Sequence, residues 1–236
     1  MAKLIVIEGL DGSGKGTQSA LLKKNLEDTF PGIKVKLIDF PAYGSEGSVP
    51  VRMYLDGKLG EHPDDTNAYA ASSFFAIDRY ISYVTSWKSD YEDPSTVIIA
   101  NRYTTANAYH QISKLPDEEW DGFLEWLWDF EFGKLGLPGP DVTLLLDMPE
   151  ELSNRLVLLR SSETGRITDI HEKDYGYLEK CRKAAGYVAD KYGWVVIPCA
   201  GEDSEFPYPV ETISEAVFRE VTDRIFRFEI SSVIEW

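Results

Sequence analysis

Five short apolar runs punctuate the chain: KLIVIE (3–8), VKLIDF (35–40), TVIIAN (96–101), DVTLLLDM (141–148) and GWVVIP (193–198). Each is nearly continuous rather than alternating, and rich in β-branched residues or leucine. That is the pattern of strands buried on both faces of a parallel sheet. Helical stretches lie between them. GKGTQSALLKKNLEDTF starts at a glycine-rich turn, DDTNAYAASSFFAIDRYISYVTSWK is the longest, and PDEEWDGFLEWLWDFEFGKLG opens on proline and closes on glycine. PEELSNRLVLLR and PVETISEAVFREVTDRIFRF complete the set. Strands alternating with helices predict an α/β fold in three α/β/α layers, a parallel sheet wrapped on both sides. No repeat, low-complexity tract or linker divides the chain, so residues 1–236 read as one domain. The polar segment SSETGRITDIHEKD (161–174) is the part expected to move as a lid of about 160–174.

Composition narrows the partners. A chain of 236 residues, 43% hydrophobic and 13% aromatic, can bury one substantial core. Its formal charge of −16, from 24 basic against 40 acidic residues, argues against binding a nucleic-acid backbone. A small phosphorylated ligand is different, because local amides and a few arginines can hold it despite the global field. Cys181 and Cys199 make no disulfide framework, which suits a reducing compartment. No apolar segment approaches the roughly 20 residues of a membrane span, and MAKLIVIEG lacks the shape of a signal peptide. The expectation is a soluble, cytoplasmic protein.

The stretch IEGLDGSGKGTQS (7–19) sits between the first predicted strand and the first helix. A glycine-rich turn there aims backbone N–H groups and the positive end of a helix dipole at an anion. Lys15 adds a point charge for β- and γ-phosphates. The fit to G-x-x-x-x-G-K-[ST] fails at one place: Gly16 follows the lysine and Thr17 arrives one position late. Gly16 removes a hydroxyl that often ligates Mg²⁺ directly. The ion can still be held through water and carboxylates.

With this loop the chain resembles the thymidylate kinases, a family of nucleoside monophosphate kinases. The segments IDFPAYGSEG, FFAIDRY, NRYTTANAYHQ, LEWLWDFEFGKLGLPGPDVTLLLDMPEE and GRITDIHEKDYGYLEKCRKAAGYVAD extend the resemblance, in family order, from residue 3 to about 200. It implies a five-stranded parallel sheet, a lid and a homodimer. It further implies Mg²⁺-dependent transfer of the γ-phosphoryl of ATP to dTMP, giving dTDP and ADP for dTTP synthesis. Gly9, Asp11, Gly12, Ser13, Gly14, Lys15, Gly16 and Thr17 would form the ATP loop. Asp11 and Thr17 are the candidate metal-side groups, acting largely through water.

On the acceptor side, Phe75 and Arg79 fall at i and i+4 and match the family's stacking ring and base-reading arginine. Phe40 and Pro41 match its Phe-Pro corner, and Asn107 and Gln111 its base-recognising amides. Arg102 is the choice for the acceptor 5′-phosphate, since a planar fork binds phosphate bidentately. Tyr103 would cover the sugar and favour deoxynucleotides. Some positions depart from the family. Asn101-Arg102-Tyr103 replaces Asp-Arg-Tyr, Ala106 replaces a common serine, and Tyr43 stands where some members have an arginine, with Arg52 the candidate substitute. Gly12 occupies the position of the loop arginine, so the charge on the transferred phosphoryl would come from the lid, through Arg166 or else Arg160. These departures keep two alternatives open: a kinase for another deoxynucleoside monophosphate, or a catalytically impaired, nucleotide-sensing homologue. Trp120, Phe123, Leu124 and Leu127, with Trp126, Trp128 and Phe130 around them, make their helix apolar on more than one side, which core packing and a dimer contact would together explain.

Overall fold

The computed structural model describes residues 1–164, 175–201 and 204–226. The five apolar runs form one sheet: β1 (Lys3–Glu8), β2 (Lys34–Asp39), β3 (Thr96–Asn101), β4 (Val142–Asp147) and β5 (Val195–Pro198), in the order β2-β3-β1-β4-β5. Every pairing is parallel. Central β1 is buried along both faces after its first residue, whereas the edge strands β2 and β5 are only partly buried. Continuous apolar sequence therefore marks the middle of the sheet.

Helix α1 (Lys15–Thr29) follows β1, and α9 (Val210–Ile225) packs beside it. Leu22, Leu26, Val217 and Val221 close over Ile5, Ile7, Ile99 and Leu144 on that face. The other face carries α5 (Thr104–Ile112), α6 (Trp120–Trp128) and α8 (Tyr175–Tyr192). Their core joins Tyr109, Phe123, Leu124, Cys181 and Val188 to Leu145. Short α2 (Val49–Leu55), α3 (Ala68–Ser82) and α4 (Lys88–Glu92) come between β2 and β3 in the chain, and α7 (Glu150–Thr164) follows β4. The result is the expected α/β/α sandwich.

The predicted helices needed three changes. The long stretch is not one helix: α3 passes through a π-helical turn, Tyr83–Trp87, into α4. The wider turn brings Trp87 fully inside, against Ile98, Ala100 and Tyr103. Helix α7 continues through Thr164, into the start of the expected lid, while 165–174 lie outside the described residues. The apolar residues around α6 are covered by the chain itself, for Trp126 packs on Tyr69 and Phe130, and Trp128 on Phe132 and Tyr192. Exposed apolar groups elsewhere include Met53, Ile77, Tyr80 and Val84.

At the end of α5, Lys114 Nζ donates to the Tyr54 hydroxyl at 2.8 Å and the Thr66 carbonyl at 3.2 Å. This lysine ties α2 and the loop before α3 to the rest of the fold. Desolvation lowers its pKa from 10.5 to about 8, against the opposing charge of Asp64. Between these two values the unfolded chain holds a proton that the folded chain has released, so Lys114's contribution to stability rises with pH across that window. Below pH 8 both states are protonated and the dependence vanishes. Urea unfolding of wild type and Lys114→Met from pH 7 to 10.5 should show this rise only in wild type; equal pH slopes would contradict it.

Candidate active site

The loop after β1 depends on backbone freedom. Gly9, Gly12 and Gly14 have φ of 148°, 85° and 86°, the region where side chains are strained. A Cβ at Gly9 would meet Ser13 Oγ at 2.6 Å and the Leu146 carbonyl at 2.8 Å, and one at Gly12 would collide with the Ser153 carbonyl. The start of α7 therefore packs directly on the loop, where Ser153 Oγ also donates to the Asp11 carbonyl. Lys15 curls beneath, its Nζ donating to the carbonyls of Gly9 and Leu10 at 2.8 Å each. Gly14, Lys15, Gly16 and Thr17 line a cleft of about 1160 Å³ that also takes in Asp39 and Asn101.

Arg102 stands at the end of β3 in a left-handed conformation, φ 64°. For a non-glycine residue such a conformation costs on the order of 1–3 kcal/mol. Its backbone N–H donates to the Ile7 carbonyl at 3.1 Å, which extends the β1–β3 ladder by one rung. Its guanidinium pairs with Asp11 at 2.5 Å, while its Nε is buried without a partner. Burial alone would raise the Asp11 pKa; the charges of Arg102 and Lys15 outweigh it and hold that carboxyl well below the usual range. Glu8 lies underneath, accepting from Tyr103 N (3.0 Å), Thr105 Oγ1 (2.5 Å) and Tyr109 OH (3.1 Å). Its desolvation raises its pKa against these bonds.

A second, far narrower pocket of about 30 Å³ opens from the same pair. Its walls include Phe40, Pro41, Phe75, Arg79, Asn107 and Gln111, and Asp11 and Arg102 line both cavities. Arg79 is almost wholly buried and forked on Glu131, through Nε–Oε2 at 2.7 Å and Nη2–Oε1 at 2.5 Å. Glu131 also accepts from Thr104 Oγ1 at 2.8 Å. The two candidate amides differ. Asn107 Nδ2 donates to the Ser72 carbonyl at 3.2 Å and reaches Glu131 at 3.5 Å, whereas both polar atoms of Gln111 are buried without partners. Gln111 is the uncommitted amide of the two. The Tyr103 ring packs with Phe40, Trp87 and Phe132, and its hydroxyl donates to the Pro138 carbonyl at 3.0 Å. Arg52 borders the large cleft, with Nη1 3.4 Å from the Tyr43 carbonyl. Arg166 and the side chain of Arg160 lie outside the described residues. Asp147, at the end of β4, is taken up by Arg182.

Glu131 went unnoticed in the sequence. Its only signal was a carboxylate set among aromatic residues in WDFEF, where a charge is out of place unless it answers another.

A phosphate-cradling glycine loop and a second basic, aromatic pocket that share one ion pair define a P-loop kinase acting on a small nucleotide. The thymidylate kinase family model matches residues 7–205. The thymidylate kinase of Mycobacterium tuberculosis is 33% identical over 177 residues, covering 72% of this chain and 78% of that protein. A probable thymidylate kinase of Methanosarcina acetivorans is 27% identical over 96% of this chain and 98% of its own. Among solved structures, thymidylate kinase from Candida albicans superposes with a TM-score of 0.66 at 20% identity, over 94% of this chain and 92% of that one. The Ehrlichia chaffeensis thymidylate kinase gives 0.65 at 20% identity, over 93% and 98%. The chain belongs to the thymidylate kinase family, ATP-dependent nucleoside monophosphate kinases.

Removing one partner of a buried ion pair strands the other. Glu131→Ala should lower the unfolding free energy by about 3–5 kcal/mol. Arg79→Leu combined with Glu131→Leu should recover most of that loss. Urea titration of both variants checks it, and a fully stable Glu131→Ala protein would show that the pair carries no such weight.

Proposed function

We propose that the protein transfers the γ-phosphoryl group of ATP to dTMP, forming dTDP and ADP. The observation that carries this reading is that Asp11 and Arg102 border both cavities. A donor in the loop and an acceptor in the inner pocket therefore meet at one basic point. The acceptor phosphate is largely dianionic at neutral pH, its second pKa lying near 6, so it needs no general base. The chemistry requires in-line positioning and positive charge.

Each named group then has a task. Loop amides and Lys15 bind the donor phosphates, Lys15 exchanging two carbonyls for phosphate oxygens. Arg102 exchanges Asp11 for the acceptor phosphate. Phe75 stacks on the base, and Arg79 and Gln111 read its edge, with the narrow pocket widening to admit it. The exposed oxygens of the site suit Mg²⁺, a hard cation. Asn101 Oδ1, buried without a donor, is an acceptor that ion-bound water would satisfy. Asp11 and Thr17 would help hold the ion, which neutralises charge on the β- and γ-phosphates when bound. Because Ser153 leaves no room for a side chain at Gly12, we assign the remaining positive charge to Arg166. The exposed apolar groups Ile77 and Tyr80 of α3 and Val84 of the π-helical turn that follows support a homodimer through this face. The unpaired cysteines fit the cytosolic setting we assign to the enzyme.

Product analysis against dTMP, dCMP and dAMP tests the reading. dTDP should form fastest; equal or better turnover of dCMP or dAMP would overturn the dTMP assignment. Arg166→Ala should lower kcat on the order of 10³-fold with dTMP affinity little changed. An unaltered rate would remove Arg166 from the mechanism.

A further inference from the structure

Four carboxylates lie in or beneath the nucleotide cleft: Glu8, Asp11, Asp39 and Asp56. Three are committed. Glu8 is fully buried and accepts three hydrogen bonds, Asp11 is paired with Arg102, and Asp56 sits near the rim with Lys58 at 3.0 Å. Asp39 is exposed to the cleft and, among the described residues, forms no ion pair.

Its surroundings are specific. Asp39 ends β2 as the register partner of Asn101 at the end of β3. Desolvation raises the Asp39 pKa, against the charge of Arg102, the neighbouring Asn101 amide and the charge of Lys15. The Asn101 Oδ1 is buried with no donor. The amide lies over the first turn of α1, for a Cβ at Gly16 would sit 3.9 Å from Asn101 Nδ2. With no side chain at Gly16, the space between that turn and the Asp39–Asn101 pair stays open. A carboxylate with no ion pair among the described residues and an amide whose oxygen has no donor thus line the same cleft as the turn that receives the donor phosphates. Mg²⁺ prefers oxygen donors and keeps several waters, so it can be held at this remove.

We propose that Asp39, the register partner of Asn101, is a carboxylate that holds the hydrated Mg²⁺ of the bound ATP, together with Asp11. The ion is thereby carried from the β2 edge of the cleft, in place of a hydroxyl after Lys15. The proposal rests on the kinase reading for its nucleotide but concerns metal binding, which can be measured without turnover.

The test uses the full chain with the non-hydrolysable ATP analogue AMPPNP and Mn²⁺ as a paramagnetic probe, with bound metal read by EPR. Asp39→Asn should weaken Mn²⁺ binding to the protein–AMPPNP complex on the order of 10-fold. Metal-free AMPPNP should bind this variant at least as well as wild type, since a negative charge near the phosphates is gone; that measurement also reports intact folding. Moving the charge across the strand pair, in Asp39→Asn combined with Asn101→Asp, should bring Mn²⁺ affinity back to within a few-fold. Unchanged Mn²⁺ binding in Asp39→Asn, an equal loss of AMPPNP with and without metal, or a swap that stays weak would each overturn the proposal. Absence of dTDP formation by wild type, with the Mn²⁺ pattern intact, would instead overturn the kinase reading and leave this assignment standing.

Discussion

The site turns on the ion pair between Asp11 and Arg102. One member sits in the loop after β1 and the other just past β3, so the pair bridges adjacent strands at their carboxyl ends. Arg102 reaches this place only through a left-handed backbone, fastened by its N–H to the last turn of the β1–β3 ladder. Such a conformation persists when its surroundings over-determine it. Here Glu8 fixes the next residue from below while Asp11 holds the guanidinium from above. The result is a cation held in position at the border of both cavities, with its partner carboxylate beside it.

The same arrangement explains how a chain of net charge −16 binds anions. The global field matters less than a few cations whose orientation is already set, together with amides that lose little entropy on binding. Arg79 illustrates the point on the acceptor side. It is anchored on Glu131 by two parallel hydrogen bonds, which leaves Nη1 3.4 Å from the Tyr103 carbonyl at the pocket wall. A buried charge pair of this kind adds little net stability, and its value lies in fixing where the fork points.

Much of this was legible in the sequence, for identifiable reasons. Strand burial on two faces writes itself as unbroken apolar sequence in β1, β3 and β4. The part-buried edges β2 and β5 still carry short apolar runs, so all five fall within two residues of the predicted runs. The glycine loop was legible because its geometry demands residues without a Cβ. Helix α8 was missed because Cys181, Ala184, Ala185 and Ala189 pack closely without much hydrophobic signal, although with Leu178 and Val188 they follow helical spacing. The π-turn at Trp87, the left-handed Arg102 and the Glu131 anchor depend on contacts between distant segments, which periodicity does not record. That Gly12 carries no side chain is written in the sequence, but the reason, the Ser153 carbonyl packed against it, belongs to the fold.

The central claim is that two phosphorylated molecules meet end to end across the Asp11–Arg102 pair. Calorimetric titration with adenosine and thymidine joined 5′ to 5′ through five phosphates measures this directly. The account predicts one molecule bound per chain, tighter than ATP or dTMP alone by about 10²-fold or more, since tethering makes the second contact intramolecular. Affinity no greater than that of ATP by itself would contradict it.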